Sequence, residues 1–177
     1  MSPEVESFEY FSPQGLPWVC LAWACIYLFR PIATLVHELG HALVAIILTK
    51  EKVFLTVGTG KPYTLWKGRR MEVSISIRNS IFGVTSFSEN TTSRVVVFFI
   101  LLGGPVSSII FSLLGMNSLL NFDLGLTGKS ALIGWTCINI LVFLRSILPM
   151  TLQGTSKISE GVPSDGLQLY RILRELD

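Results

Sequence analysis

Residues 37–41 read His-Glu-Leu-Gly-His. On a helix, positions i and i+4 lie one above the other, so both imidazoles reach one cation from a single face, with Glu38 beside it. Two neutral imidazoles and a carboxylate are the usual protein ligands of a catalytic zinc ion, which keeps a fourth position for water. The ion lowers the pKa of that water to about 7, and a neighbouring carboxylate takes its proton as the oxygen attacks a carbonyl carbon. The pattern assigns metal ligation to His37 and His41, and the general base and later proton donor to Glu38. These are the only two histidines among 177 residues. They sit inside an apolar run, where ionisable groups are costly and usually functional. A polar helix face hydrogen-bonded to neighbouring helices is the plainer alternative.

The elements that must hold this motif are written in the hydropathy. Half of the chain is apolar and only 15% is charged, against roughly 25% in soluble domains. A bilayer is the natural solvent for such a composition. The expected fold is a mainly α, polytopic membrane protein of one domain over residues 1–177. Its core has three transmembrane helices, at about 31–49 with an N-terminal extension at 16–30, at 95–114 and at 131–148. Between spans 1 and 2 lies a polar region, residues 50–94, in which residues 71–78 alternate strictly as a half-buried strand does. Residues 53–57 and 81–87 are its expected partners in a small membrane-surface β-sheet. Residues 164–176 read as a C-terminal amphipathic helix resting on the membrane surface, with Leu169, Ile172, Leu173 and Leu176 on one face.

Basic residues orient the chain. Lys50, Lys52, Lys61, Lys67, Arg69, Arg70, Arg78 and Arg94 fall in the polar region, and Lys157, Arg171 and Arg174 in the tail. The positive-inside rule puts both in the cytoplasm and the N-terminus outside, as expected of a protein of the bacterial cytoplasmic membrane. Glu4, Glu6 and Glu9 precede the first run with no Lys or Arg, unlike a secretory leader, so this segment is expected to be retained. The formal charge of +2 is small and its basic residues scattered, which gives no basis for binding nucleic acid. Cys20, Cys25 and Cys137 lie in apolar runs without paired spacing and read as small hydrophobes.

A third metal ligand is required, and it must come from the cytoplasmic half, where Lys50 ends the first span. The longer pattern with a third histidine is absent, since Val44 and Ile47 occupy those positions. Asp123 falls on the outer loop. Asp165 is the leading candidate, because Pro163-Ser164-Asp165-Gly166 follows the third span and can fold back to the membrane. Its competing reading is a helix N-cap for the terminal segment. Glu51 and Glu160 are further alternatives.

With these residues in view, the chain resembles the site-2 protease family, the intramembrane zinc metalloproteases. His37-Glu38-Leu39-Gly40-His41-Ala42 matches the family's first-span motif, Gly103-Gly104-Pro105 resembles its second-span Gly-Pro element, and Leu148-Pro149 with Ser164-Asp165-Gly166 resembles its third-span element. The resemblance spans residues 30–170. It implies a three-span catalytic core, one zinc ion held by His37, His41 and Asp165, and cleavage of membrane-spanning or membrane-associated peptides at a cytoplasm-side site. Ser146 stands where the family pattern has Asn, a residue associated with positioning substrate, and about a dozen residues separate Pro149 from the Asp-Gly pair.

Supporting residues carry double readings. Gly104, Ser108 and Ser112 recur every fourth residue, a face for close helix packing or for bringing backbone near the metal. Gly40 suits close packing as well. The alternating strand around Ile75 and Ile77 could hold an extended substrate by edge pairing, or simply be structural. Arg145 reads as snorkelling to phosphates, with a transition-state role as the alternative. Asn90-Thr91-Thr92 matches a glycosylation acceptor on the side expected to be cytoplasmic. Two functions compete with proteolysis: a catalytically silent relative that binds membrane peptides, and a zinc transporter or sensor. Intact Glu38 speaks against the first, and the lack of further histidines against the second.

Overall fold

The computed structural model describes residues 12–76, 78–87, 92–152 and 161–174. Glu4, Glu6, Glu9, Ile77, Asn90, Thr91, Lys157, Glu160 and Leu176 lie outside the described residues.

Three helices are long and apolar enough to cross a membrane: α1 (Leu16–Leu48), α2 (Arg94–Asn121) and α3 (Leu126–Ile147). The extension at 16–30 and the first span are one continuous helix of 33 residues, about 50 Å long. Pro31 lies inside it. The second helix runs seven residues beyond the expected end at residue 114, because Gly115–Asn121 contains no breaker strong enough to stop it. Ser93 caps its start, accepting a hydrogen bond from the Val96 N–H. Each pair among α1, α2 and α3 is packed together.

The closest approach is between α1 and α2. A Cβ on Gly40 would run into the carbonyl oxygen of Gly103 and sit 2.6 Å from Ser107 Oγ, and a Cβ on Gly103 would meet Gly40 backbone. Only a pair of glycines lets the two backbones come this near, as small residues do between helices in lipid. Cys25 is buried, Cys137 half-buried and Cys20 exposed, and all three are free thiols.

Between α1 and α2 the chain forms four strands: β1 (Val53–Thr59), β2 (Tyr63–Lys67), β3 (Met71–Ile75) and β4 (Arg78–Ser86). Their order is β2-β3-β1-β4. Val53, Leu55 and Val57 alternate inward and are fully buried against Ala42 and Ala45 of α1, while Phe54 between them is exposed. That buried stripe fastens the sheet to the last turns of α1. Gly58 and Gly60 take positive φ where the β1–β4 register shifts, a backbone position that disfavours side chains.

Residues 81–87 were expected beside the alternating strand, but β4 pairs with β1 instead, from Phe54↔Ser86 to Thr59↔Arg78. The strand β2, which has no hydrophobic alternation because every residue in it is exposed, takes the other flank of β3. The edges of the sheet are thus β2 and β4.

After α3, Thr151–Leu152 (β5) pairs with Val162–Pro163 (β6) and leads into α4 (Asp165–Arg174). This last helix packs on α2 and α3 through buried Leu169.

Candidate metal centre

His37 and His41 are buried on the inward face of α1, their rings edge-on with centroids 4.8 Å apart. Their Nε2 atoms converge to 3.2 Å. Asp165 Oδ2 completes the triangle, 3.1 Å from His37 Nε2 and 3.4 Å from His41 Nε2. Ligands on a tetrahedral zinc ion at the usual 2.0–2.1 Å stand about 3.3 Å apart. Three side chains from distant parts of the chain present their donor atoms at that spacing, so the set fits a metal ion.

The second ring nitrogens hold the rings in place. His41 Nδ1 meets two backbone groups of α2, 2.7 Å from the Ile100 carbonyl oxygen and 3.2 Å from the Gly104 nitrogen, which leaves Nε2 turned to the cluster. His37 Nδ1 is 3.0 Å from Ser108 Oγ. Both partners belong to α2, and both hold their rings as outer hydrogen bonds hold metal-ligating histidines.

Gly104 is part of the same construction. A Cβ there would strike both imidazole rings. The alternation of Gly104 and Ser108 therefore serves the histidines, while Ser112, 3.5 Å from the Thr136 carbonyl, packs against α3. Gly104, a weak candidate for positioning substrate on the sequence, lies against the two ligand rings.

Asp165 is free to ligate because its neighbour does the capping. Ser164 Oγ accepts from the Leu167 N–H at 3.2 Å and from the Met150 N–H at 3.1 Å, and donates to the Leu148 carbonyl at 2.6 Å. One hydroxyl thus caps α4 and ties it to the end of α3. Gly166 lies against the Ile147 carbonyl with no room for a Cβ. Burial raises the pKa of Asp165, but the neighbouring His37 and His41 outweigh it and bring it down to about 2. Glu51 is not in the cluster, and Asp123 is fully exposed, 4.0 Å from Lys129.

Glu38 is buried next to the histidines and is held by β4. Thr85 Oγ1 lies 2.7 Å from Glu38 Oε2 and 3.1 Å from its backbone oxygen. A Cβ on Gly83 would collide with the Glu38 side chain. Thr85 carries no signal in the sequence, since Thr is ordinary in a strand, whereas a glycine inside a strand, as Gly83 is, marks a close approach. A cavity of about 480 Å³ opens beside these groups, lined by Glu38, residues 82–85, Arg145, Ser146 and Asp165 among others. Ser146 is in its wall, its hydroxyl donating to the Phe143 carbonyl at 3.2 Å. Ile75 is not. It lies in β3, enclosed by β2 and β1, so it has no free edge to offer, and the strand beside the cavity is β4.

The fold and the cluster define a mainly helical protein with three membrane-span-like helices and a His-His-Asp group able to hold a metal ion. No protein-family profile matches the chain, and no curated protein matches it in sequence.

Proposed function

We infer that the chain is a zinc-dependent endopeptidase of a bacterial cytoplasmic membrane, acting on membrane-inserted or membrane-bound peptides, as its resemblance to the site-2 proteases implies. The observation that carries this reading is the convergence of His37 Nε2, His41 Nε2 and Asp165 Oδ2 within 3.4 Å of one another, with the buried carboxylate of Glu38 alongside. His37, His41 and Asp165 would hold a zinc ion, which when bound would act as a Lewis acid and bring the pKa of water to about 7.

The remaining work falls to the protein. Glu38 takes the proton of the attacking water and returns it to the leaving amine. Thr85 keeps one carboxylate oxygen fixed, and the other lies against Gly83, so β4 holds the group in place. The edge strand β4 pairs on one side with β1 alone and contributes residues 82–85 to the cavity wall. A substrate unwound into an extended form adds to that open edge, with its backbone laid across the cavity. The excess of Lys and Arg over Glu in region 50–94 supports a cytoplasmic location for this end of the bundle.

Glu38→Gln tests the reading. The variant is expected to bind zinc as the parent does and to lose cleavage of membrane peptides by at least about 100-fold. Equal peptide release by parent and variant would make the chain a peptide binder instead.

A further inference from the structure

Two turns along α4 from the metal cluster, a guanidinium stands in the cavity wall without a partner. Asp165, Gln168, Arg171 and Ile172 line the cavity beside Glu38, at the spacing of one helix face. Arg171 is exposed there. Among the described residues it forms no ion pair and no hydrogen bond. The other charged groups of the wall are engaged. Asp165 faces His37 and His41 at 3.1 and 3.4 Å, Thr85 lies 2.7 Å from Glu38, and Arg145 rests over the Phe82 ring.

The helix end accounts for a basic residue here but not for its place. Carbonyl groups at the end of α4 favour a cation in the last turn, and Arg171 and Arg174 both occupy that turn. Arg174 stands outside the cavity wall, and Arg171 is in it. A planar guanidinium fork in such a wall matches a carboxylate. Its distance from the reacting bond follows from helix geometry. Arg171 lies six residues after Asp165, about 9 Å along the axis at 1.5 Å per residue. An extended peptide covers that length in about three residues. The open edge of β4, through residues 82–85, walls the same cavity. A peptide extended along β4 therefore carries its side chains past α4.

We propose that Arg171 is a specificity-determining residue, selecting membrane peptides with an acidic side chain about three residues from the bond to be cut. The proposal rests on the peptidase reading and names a substrate class for it. Lipid phosphate carries the same charge, but it would meet Arg174 as readily as Arg171. A ligand inside the cavity singles out Arg171.

The test reads binding, using the full Glu38→Gln chain in phosphatidylcholine nanodiscs. The probes are labelled membrane-spanning Leu/Ala peptides with one Glu, Gln or Lys placed at successive positions toward one end. At its best position the Glu peptide is expected to bind about fivefold tighter than the Gln peptide. Arg171→Gln is expected to bring the two to parity, and Arg171→Glu to turn the preference to the Lys peptide. Arg174→Gln is expected to leave the preference as it is. Equal binding of Glu and Gln peptides at every position overturns the proposal, as does a Glu preference that survives Arg171→Gln. An equal loss of preference in Arg174→Gln also overturns it, and assigns both arginines to lipid phosphate. Hydrolysis is measured separately on the zinc-loaded parent, where the cut is expected about three residues from the Glu. Absence of cleavage with the Glu preference intact defeats the peptidase reading alone. Cleavage without the preference, or at no fixed distance from the Glu, defeats this proposal alone.

Discussion

The two flanks of α1 are built on opposite plans. Toward α2 the helix is closed: Gly40 and Gly103 bring backbone against backbone, Gly104 leaves just enough room for two imidazoles, and Ser108 and the Ile100 carbonyl hold them. Toward β4 and the C-terminal half of α3 it leaves cavities along Thr34, Val142 and Arg145, although its N-terminal half packs closely on α3, where Gly134 lies against Ala22 and Cys25. One flank fixes the ligands and the other leaves space. A metal centre needs donor atoms held to a few tenths of an ångström, which close packing supplies. A substrate needs a path, which close packing would block.

The difference can be broken most severely on the closed flank. Gly104→Val drives a branched side chain into both histidine rings and is expected to abolish stoichiometric zinc binding, as elemental analysis of the purified protein would read. Retention of a full zinc complement would mean that the α1–α2 contact is looser than the glycines require. On the open side effects should be smaller. Thr85→Val removes the hydrogen bond to the Glu38 carboxylate, a loss of about 1.5–3 kcal/mol for a charged acceptor. Cleavage should fall by about 10- to 100-fold with zinc content unchanged. A drop in zinc instead would place Thr85 in support of the ligands. Smallest of all is Ser146→Ala. Its hydroxyl is engaged with its own helix, so the rate of peptide release should change by less than about threefold. A larger loss would show that Ser146 reaches substrate, as the resemblance to the site-2 proteases implies.

Much of this was legible before any coordinates. The helical spacing of His37 and His41, the three apolar runs and the alternation over residues 71–78 all reflect strong periodic signals. Asp165 was legible as a candidate but not separable from a capping residue, because Ser164 and Asp165 are both good caps and only the fold decides between them. What stayed hidden is non-local. The strand β2 is exposed on both faces and leaves no pattern. The insertion of β3 between β2 and β1 depends on pairing that no local window encodes. Thr85 and Ser108 are common residues whose importance comes from what stands opposite them, Glu38 and His37.

Metal analysis of the purified chain and of Asp165→Ala tests the central claim most directly. The parent is expected to hold one zinc ion per chain in a nitrogen and oxygen environment, and the variant to lose it while its helical content is kept. A parent that takes up no zinc, or an Asp165→Ala protein that still holds one ion per chain, would contradict the account.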